Sequence, residues 1–129
     1  LEVSVGSDNY KRTTLDLNKP LDLNSAVRIN LMAHDADIPG RDIAEESRYG
    51  LYGAYTWGFV GPTQITVDYL HLRQRDLPDA GLPFDRDPAG THANGTGALP
   101  PGLPFSNFYG HTTDYKDVDV DQLGLSVQH

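Results

Sequence analysis

Apolar and polar residues alternate with period two through most of residues 26–75. Val27, Ile29 and Leu31 alternate with Arg28, Asn30 and Met32. Tyr49, Leu51, Tyr55, Trp57 and Phe59 share one parity, against Arg48, Gly50, Tyr52, Ala54, Thr56 and Gly58. Ile65, Val67 and Tyr69 oppose Thr66 and Asp68. This spacing predicts three long strands, each apolar on one face only. The same alternation sets Leu1, Val3 and Val5 against Glu2, Ser4 and Gly6. It also sets Thr13, Leu15 and Leu17 against Arg12, Thr14, Asp16 and Asn18, a strand that Pro20 ends. In the last stretch Tyr115, Asp117, Asp119, Asp121, Leu123, Leu125 and Val127 share a parity that is charged at its start and apolar at its end. The pattern predicts an all-β chain, an antiparallel meander of about six strands.

The connections alternate in length. Short ones fall at 20–25 and 60–63, long ones at 35–47 and 76–113, with 42–47 able to form one short helical turn. Short turns on one rim and long loops on the other are the asymmetry of an outer-membrane β-barrel. The first turn, near 7–9, is the exception, and its Asp and Asn suit left-handed backbone. Trp57 and Phe59 stand beside a short turn, where such barrels place interfacial aromatics. The charged start of the last strand suits a strand that rises above the membrane. Six strands are too few to close a barrel, whose bacterial forms start at about eight.

Composition narrows the classes. The net charge of −8 disfavours nucleic acid as a partner. The absence of cysteine excludes disulfides and thiolate metal sites. No apolar run reaches the about 18 residues of a transmembrane helix, which says nothing against spanning strands. The chain starts and stops inside strand patterns, so it is expected to be a piece of a longer protein. No phosphate loop, Gly-x-Ser-x-Gly or cysteine nucleophile appears, so no enzyme is expected. The five histidines are scattered without paired spacing, so no protein-ligated metal is expected.

Four segments, VGSDNYKRTTLDLNKPL, AVRINLMAHDADIPGRD, SRYGLYGAYTWGFVGPTQITVDYLHLRQRDLPDAGLP and SNFYGHTTDYKDVDVDQLGLSVQH, follow in order and cover nearly the whole chain. Together they resemble the barrel of a TonB-dependent outer-membrane siderophore receptor, the last one that of the catecholate subgroup. The resemblance implies a barrel of about 22 strands, of which residues 1–129 would be an N-terminal part. The plug domain and most of the barrel would lie outside these residues. It also implies import of ferric siderophores, with TonB as energy-coupling partner through the plug, in the outer membrane of a Gram-negative bacterium. Outer-membrane lipid would contact the apolar face. Iron(III) would arrive already chelated, and no resident cofactor is implied.

Within that resemblance the long extracellular loop, about 76–113, is the first candidate for ligand contact, with Phe105, Phe108, Tyr109 and His111 offering aromatic surface and donors. The alternative is that Phe105 and Phe108 pin the loop to its neighbours. Arg41, Arg48, Arg73 and Arg75 fall near the long-loop rim and would pair with an anionic chelate. The alternative for each is a salt bridge to Asp35, Asp37, Asp42 or Glu45. The acidity of these loops leaves the positive charge to other parts of the receptor, or implies a less anionic cargo such as a hydroxamate chelate or cobalamin. Arg12, Asp16, Arg28, Asn30 and Asp68 share the polar parity and would face the lumen. A soluble, secreted β-sandwich binding module, for carbohydrate or a similar ligand, is the competing class. It requires a second sheet over Tyr49, Leu51, Tyr55 and Trp57.

Overall fold

The computed structural model describes residues 1–83 and 102–129. Six strands run in sequence order: β1 (Glu2–Val5), β2 (Lys11–Pro20), β3 (Ser25–Asp37), β4 (Glu45–Trp57), β5 (Gln64–Leu77) and β6 (Lys116–Gln128). They form one antiparallel sheet in which every neighbour in sequence is a neighbour in space. The predicted meander is therefore present, with Pro20 the last residue of β2. The loop expected at 76–113 lies partly outside the described residues, since 84–101 are not described.

The connection expected at 35–47 is much shorter. Residues 35–37 belong to β3 and 45–47 to β4, leaving only 38–44 between them. No helical turn forms at 42–47. The reason is local. Asp35, Asp37, Glu45 and Ser47 are polar, so alternation of polarity vanishes there, but the backbone ladder continues through Asp35–Ser47, Ala36–Glu46 and Asp37–Glu45. Period two reads burial, and a strand above an apolar band has none to show.

The sheet has no second layer among the described residues. Among the described residues only Ala36 and Ala44 are buried hydrophobics. Leu17, Leu31, Leu51, Tyr55, Trp57, Val67, Leu123 and Leu125 are all exposed and share one face. The opposite face is mixed, with polar residues around an apolar patch of Met32, Leu70, Leu72, Val118 and Val120. There Arg28 donates to Asp16 through Nε (3.1 Å) and Nη2 (2.8 Å), and Thr56 meets Thr66 at 2.9 Å. Asp68 lies over Gly124 of the next strand, where a Cβ would collide with its carboxylate. A sheet that leaves its apolar side bare is built for lipid on that side, and a sandwich would cover it.

The two rims differ. The short connections 21–24 and 58–63 lie together and share Asn24. Its carbonyl accepts from the Gly58 N–H (2.8 Å) and its Oδ1 from the Val60 N–H (3.1 Å). The carboxylate of Asp22 accepts from the Asn24 N–H (2.7 Å), which holds its pKa below the usual carboxylate range with help from Ser25. Gly58 has φ +102°, and a Cβ there would run into the Thr63 carbonyl. At the other rim, the first turn places Asp8 and Asn9 in left-handed backbone at φ 55° and 53°, as their side chains favour.

The apolar band crosses the strands obliquely. Its last position before polar residues is Ala33 on β3, and on β6 it is Leu123. Ala33 lies in one register row with Tyr49, Arg73 and Asp119, so Leu123 sits four residues lower. Four residues at about 3.3 Å, across three strand spacings of about 4.8 Å, correspond to a band inclined by roughly 40°. That is the strand tilt of a membrane barrel. Leu31 stands in the middle of this band. In the full protein in lipid vesicles, Leu31→Arg is expected to cost about 2–4 kcal/mol in urea unfolding. The same change at neighbouring Asn30, on the polar face, is expected to cost less than about 1 kcal/mol. Equal losses at the two positions would contradict the assignment of faces.

Candidate functional site

The long-loop rim is held by Arg41. Its connection is shaped by the Ile38 N–H donating to Ala44 O (2.8 Å) and by Gly40 at φ +74°. The Arg41 guanidinium is 7% exposed and donates from Nε to Asp79 Oδ2 at 2.8 Å. It also donates from Nη1 to the Phe105 carbonyl and lies 4.9 Å above the centre of the Phe105 ring. The Asp42 N–H adds a bond to Ser106 O (2.9 Å). One side chain from the β3–β4 connection thus fastens both described ends of the β5–β6 loop. Arg41 and Phe105 are brought together, and each is engaged by the other. A buried arginine matched to a carboxylate, a carbonyl and a ring has its planar donors satisfied.

On the polar face, just inside this rim, Tyr10, His34, Glu46 and Arg48 form a second cluster. His34 and Arg48 are directly opposed in register. The Tyr10 ring stands edge-on to His34, 5.2 Å between centroids. Glu46 pairs with Arg48 and lies 3.7 Å from His34 Nε2. The His34 side chain is only 8% exposed, and its Nδ1 has no partner among the described residues; nor has Arg48 Nε. A recess of about 360 Å³ opens here, lined by Tyr10, His34, Glu46, Asp8, Asp37 and Ile38. Its wall is fixed by the Asp37 N–H donating to Asp8 O (2.8 Å) and by Asn9 donating to Asp37 (2.6 Å). Aromatic and imidazole groups in one open recess suit an aromatic ligand.

The other candidates separate. Arg73 and Arg75 lie on the opposite face from Arg48, with Arg73 Nη2 3.8 Å from Asp117 and Arg75 5.7 Å from the Tyr115 ring centre. The four arginines therefore never converge. Their acidic partners are Asp79, Glu46 and Asp117, in place of the expected Asp35, Asp37, Asp42 and Glu45. Phe108 and Tyr109 are half-buried in the loop, and Tyr109 donates to Pro104 O (3.2 Å). His111 is exposed, and its N–H donates to Asp114 (3.0 Å). Residues missed from sequence are Tyr10, His34 and Glu46. Extending the alternation of β3 past Ala33 and that of β4 back past Arg48 would have placed His34 and Glu46 on the polar face.

No family model matches this sequence. The catecholate siderophore receptor Fiu of Escherichia coli K12 is 32% identical over 133 residues, covering 98% of this chain and 17% of that receptor. The probable TonB-dependent receptor BfrD of Bordetella pertussis is 36% identical over 111 residues, covering 85% of this chain and 14% of that protein. A crystal structure of the ferric-catecholate import receptor Fiu from E. coli K12 superposes with a TM-score of 0.81 at 31% identity, covering 95% of this chain and 18% of that one. The chain thus spans about one sixth of the length of the curated relatives it matches.

The Arg41 clamp has a direct readout. Arg41→Ala is expected to raise hydrogen exchange at the Asp42 amide, and across 102–109, by tenfold or more while the β2–β5 ladder keeps its protection. Arg41→Lys restores charge without the fork and is expected to recover only part. Unchanged exchange in Arg41→Ala would mean the loop is held by something else.

Proposed function

Because this chain belongs to the TonB-dependent siderophore receptors, as a stretch of their β-barrel, we propose that the full protein imports ferric siderophores of catecholate type across a Gram-negative outer membrane. The observation that carries this reading is the single sheet with an inclined apolar band on one face and paired polar residues on the other. In the proposed receptor the apolar face meets lipid and the polar face lines the lumen. TonB acts through a plug domain outside these residues. Iron(III) travels as part of the chelate, and the chain supplies recognition and passage with no catalysis.

Residue roles follow from the faces. The recess lined by Tyr10, His34 and Glu46, with Arg48 beside it, would be presented to the lumen near its outer mouth. There Arg48 and the His34 imidazole are suited to the catecholate oxygens, and Tyr10 to an aromatic ring. Phe105 and Tyr109 would flank the entrance on the loop that Arg41 holds. Arg73 and Arg75 would face outward, toward headgroups, away from the cargo.

The test uses the full-length receptor. Uptake of iron-55 complexed to a catecholate, a hydroxamate or no chelator is measured in cells with and without TonB. TonB-dependent uptake of the catecholate complex alone is expected. Hydroxamate uptake without catecholate uptake would overturn the cargo, and uptake independent of TonB would overturn the mechanism. Arg48→Ala is expected to weaken binding of the ferric catecholate about three- to tenfold, which corresponds to the about 1 kcal/mol of a partly exposed charged hydrogen bond. Arg73→Ala and Arg75→Ala are expected to leave it unchanged.

A further inference from the structure

On the apolar face, one step above the last lipid-facing positions of β5 and β6, three metal-ligating side chains converge. His71 and Asp121 are directly opposed in register, and Asp119 is opposite Arg73, the next outward-facing residue on β5. His71 Nδ1 is 2.9 Å from Asp121 Oδ1 and 3.8 Å from Asp119 Oδ1, and the three ligand atoms all lie within 4.8 Å of one another. The Tyr69 hydroxyl donates to Asp121 from the row below. We propose that His71, Asp119 and Asp121 form a divalent transition-metal site that clips β5 to β6 at the foot of the longest loop.

Geometry supports the site first. Ligand atoms bonded to zinc at about 2.0–2.1 Å are separated by roughly 3.3 Å around a tetrahedron. The separations seen here bracket that value, so small side-chain rotations admit an ion. All three ligands stand on paired strands, which fix their Cα positions better than a loop does. Tyr69 bonds the same Asp121 oxygen that faces His71, so it acts as an orienting outer partner.

Charge supports it second. Two carboxylates face one imidazole that carries at most a single positive charge. Arg73 stands opposite Asp119, with its Nη2 turned toward Asp117 (3.8 Å), and Arg75 lies over Tyr115. Leu123 and Tyr69 lie immediately below, at the upper limit of the apolar band, and the Asp119 and Asp121 side chains stay more than half exposed, open to an ion from solution. A divalent ion between Nδ1 and the two Oδ1 atoms cancels both charges, with water completing the shell. The ion takes the position of the proton shared by His71 and Asp121, so binding releases that proton wherever Nδ1 carries it. The imidazole ligand selects a first-row transition ion such as zinc over calcium, which takes oxygen donors in larger number.

The experiment titrates zinc chloride into the tag-free, EDTA-treated full-length receptor in detergent. Isothermal calorimetry and thermal unfolding are followed for wild type, H71A, H71Q, D119N and D121N, with calcium chloride as the comparison. Heat-modifiable gel mobility checks that each variant is a folded barrel, and H71Q stands in if H71A is not. The expected result is one more zinc bound by wild type than by D121N, affinity at least tenfold weaker in each folded variant, and a zinc-dependent rise in Tm confined to wild type. Zinc uptake equal in wild type and variants, no uptake at all, or calcium bound as tightly as zinc with no effect of H71A would each overturn the proposal.

Discussion

A sheet one layer thick, with nothing packed on either side among the described residues, must satisfy its backbone donors and acceptors along its own ladders. Here the ladders do so over 13 residues in each of β3, β4 and β6, far past the apolar stretch. In hydrocarbon an unpaired peptide group costs several kcal/mol, so pairing, and not side-chain packing, is what such a wall is made from. The near absence of buried apolar side chains among the described residues follows from the same constraint. Stability is moved from a core to the backbone and to the lipid.

Once pairing is fixed, the two faces are free to take different chemistry, and their boundary becomes informative. Charge begins at Asp35 on β3 but already at Asp121 on β6, although Asp35 lies opposite Asp117 through the register rows. The inclined edge records how the strands lie against a membrane plane that the coordinates do not contain. It also explains why polar rows such as Arg12, His34, Arg48 and Gln74 occupy the face away from lipid at the height of the loops.

Much of the fold was legible because period-two patterning is strong wherever one face is apolar, as in Tyr49 to Trp57. It failed at 35–37 and 45–47, where both faces are polar and only hydrogen bonding, invisible to hydropathy, continues the strands. The site was legible in parts. Arg41 and Phe105, both candidates for ligand contact from the sequence, hold one another at the rim. Arg73 and Arg75 were grouped with Arg48 by nearness to the rim, yet parity alone separates them. His71 looked solitary because its partners Asp119 and Asp121 are 48 and 50 residues away in sequence, and only the register across an undescribed loop segment brings them together.

Asn24 ties the two short turns by backbone and side chain at once. The β2–β3 and β4–β5 hairpins therefore share a stitch at one rim, which carries the β3–β4 ladder one rung past Ser25–Trp57. In assembly terms this couples four strands, because the β4–β5 turn finds acceptors for its Gly58 and Val60 N–H groups in the β2–β3 turn. A chain delivered into a bilayer segment by segment would gain from such coupling, since the coupled block presents two open edges where two separate hairpins would present four.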